Sequence, residues 1–135
     1  MRTHIGIWVD HRKATIVTLS DGKESIRVIR SDVKGHFRMK GGARSSTPYG
    51  PQDIASEKNV DRKYQKYLHH YYQKIVDAVQ RADKILIFGP GEAKNELKKE
   101  MMRTKALAKK IVGVEPEDKM RDRQIVAKVK DFFNF

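Results

Sequence analysis

The sequence predicts an α/β domain with a five-stranded mixed sheet and helices on both faces. Three observations predict it. Ile85-Leu86-Ile87-Phe88 is a short apolar run of the kind buried on both faces of a sheet. Gly89-Pro90-Gly91 stops that run, and a helical pattern follows with Ala93, Leu97 and Met101 spaced four apart. Ahead of this half βαβ unit stand three strand-like segments with short connections, an antiparallel meander.

Taken in order, His4-Ile5-Gly6-Ile7-Trp8-Val9 is apolar on both faces and is expected at the centre of the sheet. Asp10-His11-Arg12-Lys13 is polar and turn-like. Ala14 to Leu19 is a second strand rich in β-branched residues. Asp21-Gly22 is a hairpin signal, because both positions favour positive φ. Ser25 to Arg30 alternates Ile26 and Val28 with Ser25 and Arg27, so one face is wet and the strand is an edge. From about 31 to 59 the period is lost, and the segment reads as a long basic glycine-rich loop. A helix from Val60 to Arg81 should turn Tyr64, Leu68, Tyr71, Ile75 and Val79 to the sheet. The helix after the glycine turn runs to about Arg103, and Lys105 to Ala108 adds a short turn. Lys110 to Val114 is the last strand. Glu115-Pro116-Glu117-Asp118 is expected to open a final helix that buries Ile125, Val129, Phe132 and Phe133. The order β-β-β-α-β-α-β-α is that of ribonuclease H-like folds, with the later strands joined by right-handed crossovers. Residues 1–135 read as a single such domain.

Composition narrows the partner. The chain of 135 residues has a formal net charge of +12 and a pI near 10.0. Such an excess favours an acidic polymer, of which nucleic acid is the commonest. Cysteine is absent, which rules out a disulfide framework and a thiolate metal site. No apolar run approaches bilayer length and no targeting segment is read, so the expectation is a cytoplasmic protein with no membrane partner.

Several residue groups invite chemistry. Asp10 ends the first strand, where a two-metal nuclease of this topology would place a carboxylate. The end of the central strand is Gly89-Pro90-Gly91, with no acid until Glu92, so the set lacks its middle member. The simpler reading is that Asp10 accepts hydrogen bonds in a tight turn. His69 and His70 point apart on a helix and make a poor metal site. Ser45 and Ser46 have no evident base nearby. Gly89 and Gly91 form a candidate anion turn at a helix start, but neither a Walker motif nor a dinucleotide fingerprint, and no cofactor is implied. Tyr67 and Tyr72, off the main apolar face, are candidate stacking residues. The leading candidate is the loop carrying Lys34, Arg38, Lys40, Gly41, Gly42 and Arg44 without an acid between Lys34 and Pro48. Basic side chains there can follow a phosphate backbone while glycine permits close approach. Arg62, Lys63, Lys66, His70 and Lys74 on the following helix would add phosphate contacts.

Three stretches carry a family resemblance: Ile7-Trp8-Val9-Asp10-His11 with Ala14, Phe88 to Leu97, and Ile111-Val112-Gly113-Val114-Glu115. Together they resemble small bacterial proteins described as translational machinery proteins. These are similar to the middle domain of archaeal and eukaryotic peptide-chain release factors and their ribosome-rescue relatives. The resemblance implies a ribonuclease H-like fold and a ribosome, rRNA or tRNA partner. In release factors a Gly-Gly-Gln loop ahead of a basic helix promotes peptidyl-tRNA hydrolysis. Lys40-Gly41-Gly42-Ala43-Arg44 occupies the comparable place here, and Ala43 has no side-chain group to position a water.

The sequence therefore reads as a non-catalytic, translation-associated RNA- or ribosome-binding protein without metal. The alternative is a hydrolase, acting on peptidyl-tRNA through the Gly-Gly-Ala loop or on nucleic acid through Asp10. A protein-binding adaptor is a third class. Phe132-Phe133-Asn134-Phe135 leaves packing on its own sheet or on a second copy both open.

Overall fold

The computed structural model describes residues 2–31 and 50–135, with the backbone alone for 50–61. The described elements are β1 (Thr3–Val9), β2 (Lys13–Ser20), β3 (Lys23–Arg30), α1 (Gly50–Ala78), β4 (Lys84–Gly89), α2 (Ala93–Met102), α3 (Lys105–Ala108), β5 (Ile111–Pro116) and α4 (Asp122–Phe132). The five strands form one sheet in the order β3-β2-β1-β4-β5. β1 pairs antiparallel with β2, and β2 with β3, while β1, β4 and β5 run parallel. The predicted fold class is thus the observed one. β3 lies at the edge, and Asp21 and Gly22 take φ of 54° and 75° in the hairpin.

Two cores sandwich the sheet. On one face Ile5, Ile7, Ile85 and Ile87 pack with Leu68, Tyr71 and Ile75 of α1, with Val79 just after it, and with Leu97 and Met101 of α2. On the other, Trp8, Val17, Leu86 and Phe88 pack with Ile125 and Val129 of α4. Two glycines permit the closest approaches. A Cβ on Gly6 would enter the Val129 side chain, so α4 rests directly on β1. Gly89 has φ of +146°, and a Cβ there would strike the Val9 carbonyl where β4 ends beside β1.

Three boundaries and the burial of one segment differ from expectation. α1 begins at Gly50, ten residues ahead of the predicted Val60, so 50–59 is helix and not loop. Pro51 falls in the first turn, where its missing N–H is harmless, and this stretch has no apolar period to announce a helix. α1 ends at Ala78, short of Arg81, because the Val79 and Ala82 amides bond carbonyls three residues back. Glu115 and Pro116 finish β5 instead of opening the last helix, which starts at Asp122. The Arg121 amide there donates to the Gln124 side chain at 2.9 Å. Finally, Phe132 is 39% exposed and Phe133 only partly buried, because the buried stripe of α4 ends at Val129. Among the described residues no helix is long and apolar enough to cross a membrane.

Candidate nucleic-acid interface

Parallel pairing brings the carboxyl ends of β1, β4 and β5 to one edge of the sheet. At that edge Asp10 holds the β1–β2 turn. Its Oδ1 accepts from the amides of Arg12 and Lys13, each at 2.8 Å. The turn is also where β3 leaves the sheet. The Ser31 amide donates to the Arg12 carbonyl at 2.9 Å and its hydroxyl to the His11 carbonyl at 2.7 Å.

Helix α1 is tied to the same turn. Tyr71 donates its hydroxyl to the Asp10 carbonyl at 2.9 Å, and the Tyr64 ring lies edge-on to His11 at 6.3 Å. Tyr72 donates to Glu96 Oε1 at 2.6 Å, and the same oxygen meets His11 Nε2 at 2.9 Å. Burial pushes both Tyr71 and Tyr72 far above the ordinary phenol range, helped at Tyr72 by the hydrogen bond to Glu96. Both therefore stay donors, and α1, α2 and the β1–β2 turn are held as one unit. Glu100 extends the seam, meeting His69 at 2.8 Å and Gln73 at 3.0 Å. The seam was not anticipated; the available signal was Glu96 and Glu100 four apart on α2, opposite His69, Tyr72 and Gln73.

The predicted helix residues come together on the outer side of α1. Arg62, Lys63, Lys66, His70 and Lys74 are all exposed. At about 100° per residue they fall within a sector of roughly 120°, opposite the stripe facing the sheet. Asp77 shares that sector, but none of the five residues has an ion pair or hydrogen bond with a described residue. The 29-residue α1 is about 43 Å long, against about 23 Å for a seven-residue strand. Because Tyr64 already reaches the carboxyl edge, the excess helix lies ahead of it, beyond the sheet.

Other predicted positions sort differently. Lys34, Arg38, Lys40, Gly41, Gly42 and Arg44 lie outside the described residues. Tyr72 is 4% exposed, and Tyr67 is partly buried against the core, so neither offers a free ring face. The apolar stripe of α1 is wide enough to take them in. Gly91 has φ of +64° and, with Gly89, lines a depression of about 320 Å³ shared with Lys94, Pro116, Glu117 and Asp118. Lys94 donates its amine to the Gly91 carbonyl, and Glu92 stands at the N-cap position of α2 without a side-chain capping hydrogen bond.

No protein-family model matches the chain, and no curated protein matches it in sequence. Among solved structures it is similar to the Pelota protein of Thermoplasma acidophilum, with a TM-score of 0.55 at 15% identity over 99% of this chain and 32% of that one. It is similar also to Pelota of Archaeoglobus fulgidus, with a TM-score of 0.55 at 13% identity over 98% and 36%. An archaeal translation termination factor, aRF1, aligns with a TM-score of 0.44 at 15% identity over 98% and 39%. The chain spans about a third of the length of the two Pelota structures. At these identities the likeness is one of fold.

Proposed function

We propose that this chain is a non-catalytic, translation-associated protein of the small bacterial family that its motifs resemble, and that it binds the ribosome or structured RNA. The observation that carries the reading is the face of α1. Arg62, Lys63, Lys66, His70 and Lys74 are exposed and free of ion pairs with described residues. Cations in that condition can be given to phosphates without breaking any intramolecular pair. The basic segment carrying Lys34, Arg38, Lys40, Gly41, Gly42 and Arg44 precedes that helix in the chain and would contact the same RNA. The link to translation rests on the sequence resemblance, supported by the fold shared with Pelota. In this reading Asp10 is structural, since its carboxylate is committed to two backbone amides.

Sedimentation with purified ribosomes tests the proposal. The protein should pellet with ribosomes at low salt, and alanine at Arg38, Lys40 and Arg44 should shift it to the supernatant. A protein that stays in the supernatant at every salt concentration would end the reading. Turnover of peptidyl-tRNA or RNA that disappears in Asp10→Asn would replace it with a hydrolase.

A further inference from the structure

At the opposite, amino-terminal edge of the sheet the structure presents a second arrangement of rings and cations. His4 stacks on Phe133 with centroids 4.6 Å apart and planes 25° from parallel. Phe133 in turn meets Phe132 edge to face at 5.0 Å. The rings run from β1 toward β5, where Gly113, lacking a side chain, leaves the tip of Phe132 close to the strand. Phe132 is 39% exposed and Val112 44%. Basic residues lead into all three parallel strands: Arg2 before β1, Lys84 opening β4 beside His4, and Lys109 and Lys110 before β5. The acid among them, Asp83, is engaged by the Thr3 amide at 2.7 Å. Burial, and then the charges of Lys84 and Arg2 working against that of Asp83, hold the His4 imidazole below its ordinary value.

We infer that this edge is a second nucleic-acid contact, taking an unpaired RNA segment by stacking a base on Phe132 while its phosphates lie against Arg2 and Lys84. The inference rests on the RNA-binding reading above and names a different surface and a different form of RNA. Two arguments select this occupant. A stable protein interface needs about 800 Å² from each partner, whereas Phe132 and Val112, less than half exposed, offer on the order of 150 Å². That area is too small for a protein partner and sufficient for a base. Rings beside cations also match the alternation of base and phosphate along a single strand.

The experiment uses the full chain and a single-stranded RNA decamer carrying 2-aminopurine. The protein should quench the fluorescent base. Phe132→Ala should abolish the quench and weaken binding on the order of five- to a hundredfold, the range for one lost stacking contact. Phe132→Trp should restore both, which separates stacking from a folding defect. Decamer binding and quench unchanged in Phe132→Ala would overturn the inference, as would a loss that tryptophan fails to rescue. Duplex RNA serves as the control arm. Its binding should respond to Arg62→Ala and Lys66→Ala and ignore Phe132→Ala. If those α1 variants leave duplex binding intact while Phe132→Ala loses the decamer, the α1 reading fails and the stacking site stands.

Discussion

Helices α1 and α4 cover opposite faces of one sheet, and both are basic, yet they use their cations differently. On α4, Lys128 sits 2.8 Å from Glu115 and 2.9 Å from Glu117, and Lys130 sits 2.9 Å from Glu24. The hydrogen bond to Glu115 raises the Lys128 ammonium above its ordinary value. These charges answer acids of the same chain and fasten the helix to β5 and β3. The acids of α2 are taken by His69, Gln73 and Tyr72 of α1 and by His11 of the β1–β2 turn, and the outer cations of α1 have no such partners among the described residues. Net charge alone does not separate the two faces. What separates Lys128 and Lys130 from the outer cations of α1 is whether each already has an anion among the described residues, and a cation without one is the more open to a polyanion.

The most severe way to break the comparison is to reverse the α1 face. Glutamate at Arg62, Lys66 and Lys74 should remove detectable ribosome binding at physiological salt. Glutamine at Lys128 and Lys130 should leave it unchanged. Chemical denaturation should show the first variant fully folded and the second destabilised by about 1 kcal/mol, as expected for paired surface charges. If both variants lose binding equally, the contrast has no functional meaning.

Gly6→Ala addresses the α4 side by packing. The new methyl would enter Val129, so the helix must move, at a cost of roughly 1–3 kcal/mol in urea denaturation. RNA affinity per folded molecule should stay as it was. Tyr72→Phe tests the α1 seam. It leaves Glu96 with His11 alone and should cost about 1 kcal/mol, with fluorescence-monitored unfolding as the measure.

The smallest expected effect is a pH dependence at the amino-terminal edge. The folded state holds His4 below the ordinary value of 6.5. As pH falls through that value the unfolded chain takes up a proton that the folded chain refuses, so stability declines below it. His4→Phe should flatten this part of the stability profile measured between pH 7.5 and 5.5.

What the sequence disclosed follows from physics that acts locally. The apolar run of β1, the Asp21-Gly22 turn and the buried stripe Leu68, Tyr71, Ile75 and Val79 each carry their period or φ preference in adjacent residues. The exposed positions Arg62 to Lys74 follow from the same helical period. The first turns of α1 were hidden because 50–59 has no apolar stripe to read. The seam of Tyr72, Glu96 and His11 joins residues 24 and 85 positions apart, and no local pattern specifies such a pair. Phe132 continues the helical spacing of Ile125 and Val129, yet the buried stripe of α4 ends one turn before it.

The most direct test is the salt dependence of ribosome affinity for the unaltered protein. The account predicts that the logarithm of the affinity falls linearly with the logarithm of salt, losing on the order of 0.7–0.9 in slope for each phosphate engaged. Affinity that holds steady from low to physiological salt would contradict it.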